Sequence, residues 1–147
     1  MLSDLSLRDF VKELGSASPA PGGGSAAALA GALASSLCSM VAALTAGKER
    51  FRDVWPEMVE AGEKSRQLTE RLIELMDQDA EAYNRVMEAV RMPKSTEEEK
   101  SLREQALQEA LKAACRVPLE TVQTVAKTAR IMESLLFKGN PNAVTDV

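Results

Sequence analysis

The chain has 147 residues, a net charge of −4, 3% aromatic residues and no histidine. That length suits one domain whose core must come from Ala, Leu, Val and Met, as in closely packed helices. Lack of histidine excludes Ser-His and Cys-His nucleophilic systems and every His-containing metal site, and the acidic balance without a basic run excludes bulk attraction to nucleic acid or an anionic membrane.

Ser6 with Asp9 makes a capping-box pattern before Leu7, Phe10, Val11 and Leu14 at helical spacing, and Gly15 ends that helix. The first ten residues carry acid and no apolar segment of signal-peptide type, so a cytoplasmic protein is expected. Residues 16–24, rich in Ser, Pro and Gly, read as a loop. Residues 25–46 carry no charge and have the length of a membrane span. Their flanks lack interfacial aromatics and basic bias, so a buried central helix is expected instead. Ala27, Gly31, Ser35 and Ser39 form a small-residue ridge along it, open to a second backbone from the same chain or from another subunit. Cys38 and Cys115 read as buried free thiols.

Asp53 stands where it can cap a helix running from Trp55-Pro56 to Val90, with Gly62 a point of possible interruption. Met92-Pro93-Lys94 ends it. Ser95 with Glu98 and Thr96 with Glu99 are overlapping capping boxes for the next helix, which reaches Val117, where Pro118 kinks or restarts it. A last helix carries Leu119, Val122, Val125, Ala126, Ala129, Met132, Leu135 and Leu136. Gly139 stops it, and Asn140-Pro141 opens a further turn. Without strand-like alternation or repeats, the expectation is one all-α domain over residues 1–147, a bundle around a long Ala/Ser-rich helix.

At about 100° per residue, Leu68, Leu72, Leu75, Met76, Ala82, Tyr83, Val86 and Val90 share one face, with Asp79 at its centre. Glu70, Asp77, Glu81, Asn84 and Glu88 fall opposite. Asp79 is therefore the acid expected to point inward. It is either an acid–base group in a pocket, or a structural carboxylate held by an ion pair or a neighbouring helix end. Arg103 lies with Ala106, Ala110, Ala114 and Val117. It is placed to pair with Asp79, to grip ligand carboxylates, or to sit wetted in a first turn. Gly22-Gly23-Gly24-Ser25 precedes a long helix whose free N–H groups suit an anion or carbonyl, although such a triplet alone is more often a plain hinge, with Ser25 a plain N-cap. Lys48 and Lys94 follow helix ends and suit either the helix dipole or an acidic substrate tail.

Ser18-Pro19-Ala20-Pro21-Gly22-Gly23-Gly24-Ser25 and the Ala-rich run after it resemble the entry to the central helix of the formimidoyltransferase-cyclodeaminase C-terminal domain family. Leu44-Thr45-Ala46-Gly47-Lys48, Asp79-Ala80-Glu81-Ala82-Tyr83, Met92-Pro93-Lys94, Arg103, Pro118, and Gly139-Asn140 with Asp146-Val147 follow in matching order. The resemblance implies a helical folate enzyme, dimeric, with sites at or near subunit contacts. It implies hydrolysis of 5,10-methenyltetrahydrofolate to 10-formyltetrahydrofolate, or cyclisation of 5-formimidoyltetrahydrofolate with loss of ammonia. The folate is substrate, and neither a metal nor a separate cofactor is implied. Asp79 is the first choice to stabilise the cation and take a proton from water, and Asp146 the second. Lys94 is placed as an acid or as a hold on the folate. Pro21, Gly22, Gly23, Gly24 and Ser25, with Lys48, Tyr83, Arg103 and Asn140, carry over as substrate contacts. Family domains continue with further helices beyond the position of Asp146. A non-catalytic folate-binding protein and a helical scaffold stand as rivals.

Overall fold

In the computed structural model the backbone is described for all 147 residues, and every side chain except that of Val144. Four α-helices form: α1 (Leu7–Leu14), α2 (Gly23–Ala46), α3 (Trp55–Arg91) and α4 (Glu97–Lys138). Short 3-10 turns cover Leu2–Asp4, Glu49–Val54 and Pro141–Asp146, and no strand occurs among the described residues.

Local chemistry sets most helix boundaries. Ser6 accepts the Asp9 N–H at 3.1 Å to start α1. Of the two boxes before α4, the second forms: Glu99 N–H donates to Thr96 Oγ1 and Thr96 N–H to Glu99 Oε2, each at 3.1 Å. Glu99 also takes the Ser95 N–H at 2.7 Å, so Glu98 has no part in it. The expected break at Gly62 and the restart at Pro118 are absent. α3 passes unbroken through Gly62, and α4 through Pro118.

The chain divides into two compact units. One comprises Met1–Ala27 with Glu74–Thr121, the other Ala28–Ile73 with Val122–Val147. In the second unit Cys38, Val41, Ala42, Met58, Leu135 and Ala143 form a buried cluster. Gly31 explains how closely three helices meet there. A Cβ on it would stand 2.7 Å from Val125 Cγ2 and 3.3 Å from the Leu72 methyls. Gly62 serves the same end, since its Cβ would lie 3.4 Å from that of Ala42. Packing thus overrides the helix cost of a glycine, about 1 kcal/mol.

Hydroxyls supply direction where α2 has no charge. Ser35 Oγ donates to the Ser65 carbonyl at 2.9 Å and Ser39 Oγ to that of Gly62 at 3.4 Å, an antiparallel pairing. Asn140, 3% exposed, pins the C-terminal turn. Its N–H donates to Thr45 Oγ1 at 2.9 Å, and its Oδ1 accepts from Arg50 Nη2 at 2.7 Å and from Asn142 N at 3.2 Å.

Only one face of α2 is buried, which corrects the expectation of a buried central helix. Gly31, Ala32, Ser35, Cys38, Val41, Ala42 and Thr45 are inside, while Leu33, Leu37, Met40 and Leu44 are 40–58% exposed. By length and composition α2 could cross a membrane, but about two-fifths of its most apolar stretch is buried within the fold. The thiols also differ. Cys38 is buried and Cys115 exposed, against the expectation of two buried thiols. Burial pushes the Cys38 thiol above its ordinary range. The folded chain therefore holds that proton more tightly than the unfolded chain, and this contribution to stability, intact at neutral pH, is lost as alkaline pH passes the thiol range. A disulfide reagent at neutral pH is expected to label one thiol quickly and the second only on unfolding. Rapid labelling of both would contradict this packing.

Candidate functional site

The site begins at the start of α2. Gly22 O accepts the first helical bond, from Ala26 N at 3.1 Å. Gly23, Gly24 and Ser25 then hold N–H groups with no intrahelical partner, and Gly22 has no side chain to cap them. α3 supplies the cap. Asp79 Oδ2 accepts from Ser25 N at 2.8 Å and from Ser25 Oγ at 2.9 Å. The Ser25 hydroxyl also lies 3.1 Å from the Met76 carbonyl. Its single proton favours the charged acceptor. A carboxylate at a helix N-terminus meets the positive end of the dipole, which is favourable.

Gly24 makes the approach possible, because a Cβ on it would overlap the Asp79 carboxylate. Both hydrogen bonds end on Oδ2, while Oδ1 lies against Gly24. Asp79 is half-buried and Ser25 fully buried beneath it.

A pocket of about 440 Å³ opens here. The loop lines it with Pro19, Ala20, Gly22, Gly23 and Gly24, α3 with Asp79, Ala80, Ala82, Tyr83 and Val86, and α4 with Leu111 and Ala114. One carboxylate therefore stands in a wall of small and apolar groups, with Tyr83 beside it. Pro21, joined to Ala20 by a cis peptide, is a buried residue of the same loop. Leu111, Ala114 and Val86 went unnoticed in the sequence as pocket residues, although each sits in a helical apolar stripe.

The remaining charged and amide candidates are not among the lining residues of this pocket. Arg103 Nε donates to the Val90 carbonyl at 3.2 Å, closing the last turn of α3 rather than pairing with Asp79. Lys94 is exposed in the link between α3 and α4. Lys48, Asn140 and Asp146 belong to the second unit. There Lys48 precedes a 3-10 turn, its carbonyl accepting Trp55 Nε1 at 3.0 Å; Asn140 is the buried pin, and Asp146 is exposed. Asp77, expected opposite the buried face, is only 7% exposed. The first residues of the chain cover it. Leu2 N donates to its Oδ1 at 2.5 Å, Ser3 N to the same oxygen at 3.2 Å, and Ser3 Oγ to Oδ2 at 2.5 Å. Among the described residues no group of three His, Cys, Asp or Glu side chains is placed to hold a metal.

The profile of the family described as formiminotransferase-cyclodeaminase matches residues 6–147. The chain belongs to the formiminotransferase-cyclodeaminase family. Within that family it is 38% identical over 146 residues to the methenyltetrahydrofolate cyclohydrolase of Methylorubrum extorquens, which covers 99% of this chain and 70% of that protein. It is 39% identical over 146 residues to the formimidoyltransferase-cyclodeaminase of Mus musculus, again covering 99% of this chain but 27% of the mouse protein. The crystal structure of formiminotetrahydrofolate cyclodeaminase from Thermotoga maritima superposes with a TM-score of 0.86 at 34% identity, over 99% of this chain and 69% of that one. The all-α architecture is thus that of the formiminotransferase-cyclodeaminase family, and the glycine loop that meets Asp79 lies inside the matched region.

Proposed function

We propose that this chain is a folate-dependent one-carbon enzyme that hydrolyses 5,10-methenyltetrahydrofolate to 10-formyltetrahydrofolate at the Asp79 pocket. The observation that carries the reading is a carboxylate held by the α2 N-terminus in the wall of a 440 Å³ pocket. The family relatives named for methenyl- and formiminotetrahydrofolate chemistry support it.

The methenyl carbon of the substrate is the centre of an amidinium cation. A fixed carboxylate stabilises that charge and needs no reorganisation as reaction begins. Water adds to the carbon, and Asp79 takes one of its protons. The tetrahedral adduct then breaks its bond to N5, which receives the proton from Asp79. The hydroxyl proton leaves to solvent as the formyl C=O forms. The same pocket serves cyclodeamination, in which N10 attacks a formimidoyl carbon and ammonia leaves. The likeness to the Thermotoga cyclodeaminase favours this as the second reading.

The test is the near-ultraviolet absorbance of 5,10-methenyltetrahydrofolate with protein present, set against its loss in buffer alone. Accelerated loss is expected. Hydrolysis at the buffer rate together with turnover of the formimidoyl substrate would select the second reading. Turnover of neither with folate still bound would select a non-catalytic folate binder, and no folate binding at all a helical scaffold.

The proposal includes a homodimer. Leu33, Leu37, Met40 and Leu44 recur at helical spacing on the open side of α2, a stripe without a charge. Light scattering is expected to give twice the chain mass, and Leu37→Glu to reduce it to one chain.

A further inference from the structure

The helix that closes the pocket on its third side contains a proline. α4 runs without a break over Glu97–Lys138 with Pro118 inside it. A proline has no N–H, so the carbonyl four residues earlier loses its helical donor, and the ring pushes that carbonyl outward. The residue four earlier is Ala114, and Ala114 lines the pocket. It is half-buried. Leu111, Ala114 and Pro118 share one face of α4, at spacings of three and four residues.

We infer that the Ala114 carbonyl is a substrate-positioning acceptor, released from the helix by Pro118 so that it can bind an N–H group of the ligand. The inference rests on the folate reading above and adds a fixed acceptor on the α4 side of the pocket. Besides Asp79 and the Tyr83 hydroxyl, the lining side chains are apolar or absent. A reduced pterin ring carries several N–H donors, and burying one without an acceptor is costly. A backbone carbonyl in a rigid helix fixes orientation better than a flexible side chain does, and an apolar pocket with few placed polar groups is the usual design of such sites. The arrangement also accounts for a helix breaker in mid-helix, where it weakens α4.

Two measurements test it. Ala114-Cys115 is the one Ala-Cys pair in the sequence, since Cys38 follows Leu37. Protein carrying 13C-carbonyl alanine and 15N cysteine therefore gives one cross-peak for the Ala114 carbonyl. That carbonyl is expected to move downfield when 5,10-methenyltetrahydrofolate, or a stable folate analogue with the same pterin ring, is added. In Pro118→Ala the new N–H occupies the carbonyl. The melting temperature is expected to rise, KM to increase about tenfold, the worth of one lost hydrogen bond, and kcat to stay within about twofold. A merely structural proline would leave the carbonyl resonance unmoved by ligand. A uniformly 15N-labelled sample separates the failures. Ligand-dependent shifts elsewhere with the Ala114 carbonyl still would overturn this inference alone. No shift anywhere would overturn the folate reading and this inference with it.

Discussion

Asp79→Asn is expected to lower kcat by about 10²- to 10⁴-fold, the usual worth of a positioned acid–base group, while the melting temperature stays close to that of the parent. The two halves of this prediction have separate causes. Asparagine keeps a carbonyl oxygen where Asp79 Oδ2 accepts from Ser25 N and Ser25 Oγ, so the α2 start stays capped. It loses the charge that the proposed mechanism sets against the substrate cation, and the ability to take a proton. Asp79→Ala removes the cap as well and should cost about 1 kcal/mol or more of stability. Kinetics of methenyltetrahydrofolate hydrolysis and thermal melts on the same three proteins separate the roles. An Asn variant that melts early and still turns over would make Asp79 a structural cap and nothing more.

Gly24→Ala comes next in size. On helix propensity alone the change should stabilise α2 by about 1 kcal/mol. The opposite sign is expected here, because the new methyl overlaps the Asp79 carboxylate. That carboxylate ends a short side chain held by two hydrogen bonds, so relief must break one or both of them. A shift of about 1 Å in a catalytic group can cost about 10²-fold in rate, and overpacking typically costs about 1–3 kcal/mol. Gly23→Ala is the matched control for stability. Its Cβ meets nothing within 4 Å, so that variant should follow the helix rule and melt higher. Equal melting shifts for the two variants would contradict the contact between Gly24 and Asp79.

Much of the fold was legible because its signals are local. Ser6 with Asp9 and Thr96 with Glu99 cap the helices they precede, since a cap needs only four residues to form. Gly62 and Pro118 misled because a breaker acts on propensity while packing decides the helix, and the carbonyl of Gly62 is in use by Ser39. The side of Asp77 was misread because periodicity ranks faces by the helix's own residues. Here the covering group is the segment Leu2–Asp4, seventy-odd positions away in the chain. α2 showed its buried side only in part. A helix of Ala, Ser and Leu without charge has nearly the same polarity all round, so only its small residues Gly31, Ser35 and Ser39 mark the side that packs. The inward side of Asp79 was legible from its stripe. Its partner, Ser25, lies 54 positions away, so the contact between acid and helix start required the structure.

The borrowed cap also bears on protein engineering. Gly22 leaves the head of α2 bare, with open space where its Cβ would stand. A standard stabilisation scheme would place Asp or Ser there and count the new cap as a gain. The inserted side chain would compete for the Ser25 N–H that now holds Asp79, and an aspartate would repel that carboxylate as well. Selection for heat resistance alone would then turn out well-capped, long-lived proteins with a loosened acid, so libraries built on this scaffold need an activity screen at position 22 from the first round.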